Sequence, residues 1–336
     1  MKKQLQILIS ALALAVILGC GAGSLESSPG ELTIYSGRSE TLVGPMIQQF
    51  SQATGVKTSV KYAKTPQLAA TLLEEGDNTP ADVFFAQDPG GLAAVEHMLT
   101  PLPSNILDRV PQWASSPTGR WVGLSGRART VVYNTEVLTP ADLPTDIYGF
   151  VDPKWKGRIG WAPTNASFQT MVTAMRSIWG EEKTGWWLAG IQANQAKTYP
   201  KNTPIVAAVG SGEIDVGFVN HYYLHRFLAE EGESFAARNY HPKAGGPGAI
   251  VMVAGAGILK QTDNPITAER FLDFMLSQVA QEFFANKTFE YPLAEGVTQN
   301  PALVPLSQIP NPGLTVDRLS DLKGTQELLR RSGLLP

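Results

Sequence analysis

The sequence predicts an α/β protein built from two domains, and three observations carry that prediction. Short apolar segments with strand periodicity alternate with segments of helical periodicity between Leu32 and Phe85. Polar, glycine-bearing loops follow those strands, at the end where open α/β sheets receive ligands. About three hundred residues remain after a short leader, enough for two domains with substantial cores.

The leader comes first. Lys2 and Lys3 precede an almost wholly apolar run, Leu5 to Leu18, and Gly19-Cys20 follows. The run is shorter than the ~20 residues of a comfortable membrane span, so residues 1–19 read as a secretory signal. Cys20 is the only cysteine, which excludes an internal disulfide. Its place after a small residue resembles a bacterial lipobox, which implies cleavage before Cys20 and lipidation of its thiol. An ordinary signal with an incidental cysteine is the alternative. Residues 20–30, rich in Gly and Ser, suit a flexible tether. The expected location is therefore outside the cytoplasm, in the periplasm or at the cell surface, anchored by lipid. A formal net charge of -3 gives no basic footprint for nucleic acid.

Leu32-Thr33-Ile34-Tyr35 reads as the first strand and Ser36 to Ser39 as a turn, with Ser39 or Thr41 placed to cap a helix. Leu42, Val43, Met46, Ile47 and Phe50 recur at helical spacing up to Gly55. Val56 to Tyr62 alternates like a half-buried strand. A helix from about Thr65 to Glu75 follows, then a strand over Pro80–Phe85 and the loop Gln87 to Gly91. This alternation predicts a parallel sheet. Trp121 to Leu124 leads through Ser125-Gly126-Arg127-Ala128-Arg129 into a strand over Thr130–Asn134. Thr164-Asn165-Ala166 precedes a helix carrying Met171, Met175 and Ile178; Trp186 and Trp187 lie on another. Ile214 to Phe218 reads as a buried strand, with Tyr222 and Tyr223 where it ends. Adjacent side chains of a strand face opposite ways, so both phenols serve one site only if the backbone turns there. Otherwise one ring packs in the core and the other is exposed. A strand over Ala249–Ala256, helices over Pro265–Phe284 and a short helical tail from Thr315 complete the chain.

The ordered blocks Leu32 to Arg38, Pro80 to Phe84, Gly126 to Tyr133, Trp155 to Arg158 and Gly212 to Asp215 through Tyr223 resemble the periplasmic ferric-iron-binding proteins of iron ABC transporters. The likeness runs from residue 31 onward. It implies a two-lobed, type II, transferrin-like binding-protein fold, with the ligand cleft between lobes joined by two crossover strands. One lobe would hold residues 31–128 and 251–304, the other 129–250 and 305–336. It also implies a non-enzymatic monomer that carries Fe(III) with carbonate or phosphate as synergistic anion. The partner would be a permease in the inner membrane.

The family's paired tyrosine ligands map onto Tyr222 and Tyr223. A free phenol has a pKa of ~10, and a bound hard cation displaces that proton. The family's first-loop histidine corresponds here to Ser39, beside Arg38 and Glu40. Its acid corresponds to Gln87, beside Asp88, and a third tyrosine used by some members corresponds to Phe168. The first lobe thus offers Arg38, Ser39, Gln87 and Asp88 as possible contacts, with solvated loop residues as the alternative. The backbone at Thr164-Asn165-Ala166 can bind an anion or be simply an N-cap. Asn202 and Asn220 resemble the family's anion-contacting asparagines. Arg127 and Arg129 can hold an anion by bidentate bonds or form a structural ion pair at the hinge.

Other readings compete. His221 and His225 have zincin spacing, but Tyr222 stands where the general base belongs. Ser125 lacks the downstream glycine of a nucleophile elbow. The same fold also carries oxyanions, polyamines, phosphonates or sugars, and Trp186-Trp187 could stack on a sugar, although the pair's helical setting equally suits a core.

Overall fold

The computed structural model describes residues 30–336; the signal segment and Cys20 lie outside them. Three parallel strands open the fold: β1 (Glu31–Ser36), β2 (Lys57–Tyr62) and β3 (Val83–Ala86), with Ile34 opposite both Val60 and Val83. Between them run α1 (Glu40–Thr54) and α2 (Thr65–Glu75). The α1 face buried is Leu42, Val43, Met46, Ile47 and Phe50, and Gly55 stops it in the left-handed region at φ 74°. Ser39 stands at the N-cap without making a capping bond. The short α3 (Pro89–Ala94) starts at Asp88, whose carboxylate accepts from Gly91 N at 3.1 Å, and α4 (Ser104–Leu107) follows.

The strand β4 (Val122–Asn134) is buried along all 13 residues. The sequence reading started this strand at Thr130, with residues 125–129 leading into it; the strand in fact includes that stretch. Ser125, Arg127 and Arg129 alternate along one face, and the residues between them are small. The other lobe supplies β5 (Ile159–Trp161), α5 (Ala166–Ala193, kinked at Gly180, φ 82°), β6 (Lys197–Thr198), α6 (Asn202–Gly210), β7 (Val216–Asn220), α7 (Tyr222–Glu231) and β8 (Ala237–Tyr240). The chain closes with β9 (Val251–Ile258), α8 (Pro265–Met275), α9 (Gln278–Asn286) and α10 (Leu322–Arg331).

One sheet runs β2-β1-β3-β9-β4-β7-β5-β6, with β8 also on β4. It is mixed rather than parallel, since β9 is antiparallel to β3 and β4, and β4 is antiparallel to β7 and β8. From Val122 to Ala128, β4 pairs with β9; from Arg129 onward it pairs with β7 and then β8. The two-lobed architecture follows from that change of partner, and the cleft lies where it happens.

One apolar cluster, including Leu32, Phe84, Trp121 and Phe271, reaches Ile205 and Tyr222. A second gathers Phe150, Trp155, Trp161, Phe168, Trp187 and Phe218, and takes in Leu319, Leu328 and Leu329 from the C-terminal segment. Thr325 Oγ1 and Thr173 Oγ1 lie 2.7 Å apart, and Arg176 pairs with Asp321 at 2.8 Å. Leu303 and Ile309 pack instead with Ala128, Val251 and Tyr291. Leu329→Ala should therefore lower the stability of the whole protein by ~2–5 kcal/mol, as for other buried leucines. Chemical denaturation checks this; an unchanged midpoint would mean that α10 is an appendage.

Candidate functional site

The strand β7 ends at Asn220, and His221 already has helical dihedrals (φ -54°, ψ -41°). The turn directs Tyr222 and Tyr223 to one place. Their rings stack with centroids 4.2 Å apart and planes 29° from parallel. Tyr222 is fully buried and Tyr223 is 8% exposed, so the division into one core and one surface ring does not occur. Arg38, from the loop after β1, donates through Nη1 to Tyr222 Oη at 3.4 Å. Lys64 Nζ reaches Thr164 Oγ1 at 3.1 Å. Contacts from the β1–α2 region thus close over the tyrosines and the start of α5.

Arg129 gathers three helix beginnings. Its Nη1 donates to Asn220 Oδ1 at 3.1 Å and, at 3.4 Å, to Asn202 Oδ1 and Ser167 Oγ. Asn202 Nδ2 donates to Asn165 Oδ1 at 3.2 Å, and that oxygen also caps α5 by accepting from Ser167 N at 3.1 Å. Asn165 therefore does cap the helix while standing in the same network as Arg129. Ala166, the first residue of α5, is buried beside it. The positive ends of α5, α6 and α7 all point into this region.

Arg127 donates through Nη2 to Val253 O at 3.1 Å. Its Nε and Nη1, and Nε and Nη2 of Arg129, are buried without a protein partner. Neither arginine makes an ion pair among the described residues, so the hinge ion pair is not formed. Burial lowers the pKa of both guanidinium groups; like charge adds to it, from Arg38 on Arg127 and from Arg127 on Arg129, which falls to about 9. Arg129 remains a cation at neutral pH, and arginine side chains are not deprotonated in proteins. Burial, then the neighbouring Tyr222, pushes the Tyr223 phenol well above its ordinary range.

The other first-loop candidates separate. Ser39 and Glu40 are exposed, and the Ser39 hydroxyl lies 3.3 Å from that of Thr41, so both are solvated residues. Gln87 is half-buried; its N–H donates to Thr65 Oγ1 at 2.9 Å and its Nε2 has no partner. Asp88 is buried, with Oδ2 unpartnered; burial raises its pKa against the pull of Arg127. Phe168 packs between Trp161 and Trp187. Sequence reasoning missed Glu290, a fully buried carboxylate paired with Arg38 and bonded by Ser125 Oγ. Its only sequence signal is an acid enclosed by Phe289 and Tyr291.

The competing readings find little support in the geometry. His221 Nδ1 accepts from Ala128 N at 3.1 Å, and its ring stacks on Tyr291. Among the described residues no three His, Cys, Asp or Glu side chains are placed to hold a metal ion. Ser125 is engaged with Glu290 rather than with a histidine. Trp187 is buried and Trp186 is 59% exposed, so they form no common platform.

A polar cleft between two lobes that share a sheet, closed over a few convergent side chains, defines a solute-binding protein. Residues 78–315 match the model of the family described as bacterial extracellular solute-binding protein. The major ferric iron-binding protein of Neisseria meningitidis serogroup B is 34% identical over 90% of this chain and 93% of its own length. The Fe(3+)-binding periplasmic protein of Serratia marcescens is 32% identical over 97% of both. Iron-bound HitA from Pseudomonas aeruginosa superposes with a TM-score of 0.87 at 31% identity, over 91% of this chain and 100% of that one. The chain belongs to the bacterial extracellular solute-binding proteins, among the periplasmic ferric-iron-binding proteins.

Burial keeps His221, His225 and His241 neutral; for His225 the pKa falls to about 4. In the unfolded chain imidazoles protonate below ~6.5. The native state resists that proton, so stability should fall as pH drops from near neutral toward about 4. Denaturation midpoints across this window should show a smaller loss in His225→Gln; an equal loss would assign the acid sensitivity to other groups.

Proposed function

We propose that this chain captures Fe(III) together with an anion outside the cytoplasm and delivers it to the membrane permease of an ABC importer. The observation that carries this reading is the stacked Tyr222–Tyr223 pair beside buried guanidinium N–H groups without protein partners. Two phenolates leave Fe(III) with net positive charge, and Arg127 and Arg129 add more. An anion such as carbonate or phosphate, bridging metal and arginines, offsets most of this positive charge. It would lie among Arg127, Arg129, Asn202, Asn220 and the start of α5 at Thr164-Asn165-Ala166. Arg38 is the first-lobe group that meets Tyr222, and Asp88 offers a buried carboxylate oxygen without a partner among the described residues; Ser39 is exposed, and Gln87 offers a neutral amide. A bare oxyanion would satisfy the arginines and leave the phenols idle. Ferric-binding relatives at 34% and 32% identity support iron as the cargo.

The division into lobes 31–128 plus 251–304 and 129–250 plus 305–336 belongs to this proposal, supported by the change of partner along β4 at Ala128–Arg129. Metal and anion bind first to the lobe that holds the tyrosines; hinge closure then excludes water and brings Arg38 onto Tyr222. The protein works as a monomer, tethered through lipidated Cys20.

Fe(III) added with carbonate or phosphate should produce a visible phenolate-to-iron charge-transfer band. Tyr222→Phe combined with Tyr223→Phe should abolish it; a band that survives the double variant, or never forms, overturns the iron reading. The Tyr223 phenol holds its proton in the iron-free protein. Loading should therefore release protons, and iron affinity should rise with pH. Titration calorimetry in buffers of different ionisation enthalpy measures that release, and none would mean that the phenols do not ligate.

A further inference from the structure

Glu290 is fully buried in the loop after α9. Its N–H donates to Phe284 O at 2.9 Å, and Tyr291 exchanges two hydrogen bonds with Gly126 on β4, at 2.7 and 2.9 Å. The carboxylate is thus held by backbone on both sides. One oxygen pairs with Arg38 Nη2, and the other accepts from Ser125 Oγ on β4. Arg38 N donates to Ser36 Oγ at 3.2 Å, and that hydroxyl donates to Arg38 O at 3.0 Å, so the arginine's own loop is also fixed. The remaining terminal nitrogen, Nη1, meets Tyr222.

Resting on the iron reading above, the geometry points to Glu290 as the positioning residue of the site. It fixes the Arg38 guanidinium so that Nη1 is aimed at Tyr222 Oη when the lobes close. A guanidinium is planar, so anchoring one terminal nitrogen sets the direction of the other. The anchor is needed because Arg38 faces a second buried cation. Burial and then Arg38 are the largest causes that depress Arg127. For Arg38, burial works the same way, but Glu290 and then the tyrosines outweigh it and raise its pKa. Glu290 is thus what keeps Arg38 inside, and it offsets one positive charge in a site that receives a trivalent cation. Nothing in the residue order marks this, since Glu290 and Arg38 are 252 positions apart.

Glu290→Gln keeps the shape and the bond from Ser125 but removes the charge. In crystals of the iron-free variant, Arg38 should leave the position it holds in the wild type grown under the same conditions. In the loaded variant the charge-transfer band should shift, and iron should pass to a competing chelator about tenfold faster, the size of one lost charge-assisted hydrogen bond. Arg38→Gln should shift the band in the same direction, and the double variant should add nothing further. Arg38 unmoved in the crystal, or additive effects in the double variant, would overturn the proposal. If Glu290→Gln fails to fold, Glu290→Asp, which keeps the charge but withdraws it by one methylene, is read the same way. The crystallographic readout needs no iron, so a wild-type protein without a band would sink the iron reading while the position of Arg38 still decides the role of Glu290.

Discussion

Three guanidinium groups are buried around two phenols, and only one of them, Arg38, has a carboxylate partner. Cations placed together away from water cost several kcal/mol each unless something of opposite charge joins them. Here nearly every fixed contribution has the same sign, because the starts of α5, α6 and α7 add positive partial charge beside Arg129. The partial relief comes from neutral oxygens, Val253 O for Arg127 and Asn220 Oδ1 for Arg129. On the proposed reading, an anion supplies the opposite charge that this place lacks.

In the proposed iron site, the tyrosines are what would hold the cation. A phenol is neutral until a metal arrives and anionic afterwards, so the pair contributes negative charge only on loading. This explains how the site can lack the first-lobe helpers common in the family. Ser39 turns outward, Gln87 offers an amide and Phe168 belongs to an aromatic core with Trp161 and Trp187. On that reading, the arginines would shift the burden of coordination from protein side chains to the anion that accompanies the metal.

Much of the frame was legible because it rests on local periodicity. The buried face of α1, the limits of α2 and the stop at Gly55 are short-range features. The tyrosine pair was visible at the end of an apolar run, whereas Asn202 and Asn220 were marked only by the family resemblance. The full length of β4 was not legible, because its start before Thr130 shows only when Ser125, Arg127 and Arg129 are read as one face of a two-residue period. The mixed character of the sheet depends on where β9 inserts, which no local pattern encodes. Glu290 was invisible for a similar reason: its partners come from β4 and from the far end of the chain, and an isolated acid between two aromatic residues carries no spacing to read.

The C-terminal segment has a bearing on how the molecule comes into being. Leu319, Leu328 and Leu329 complete the apolar cluster under α5, the helix whose first turn frames the anion cradle. Contacts between α5 and α10 close a loop of some 150 positions, as Thr173 and Thr325 show with a separation of 152. Long-range closures of that kind form late. The lobe carrying Tyr222 and Tyr223 is thus complete only when segments some 150 positions apart have met, and without α10 the apolar face of α5 stays uncovered.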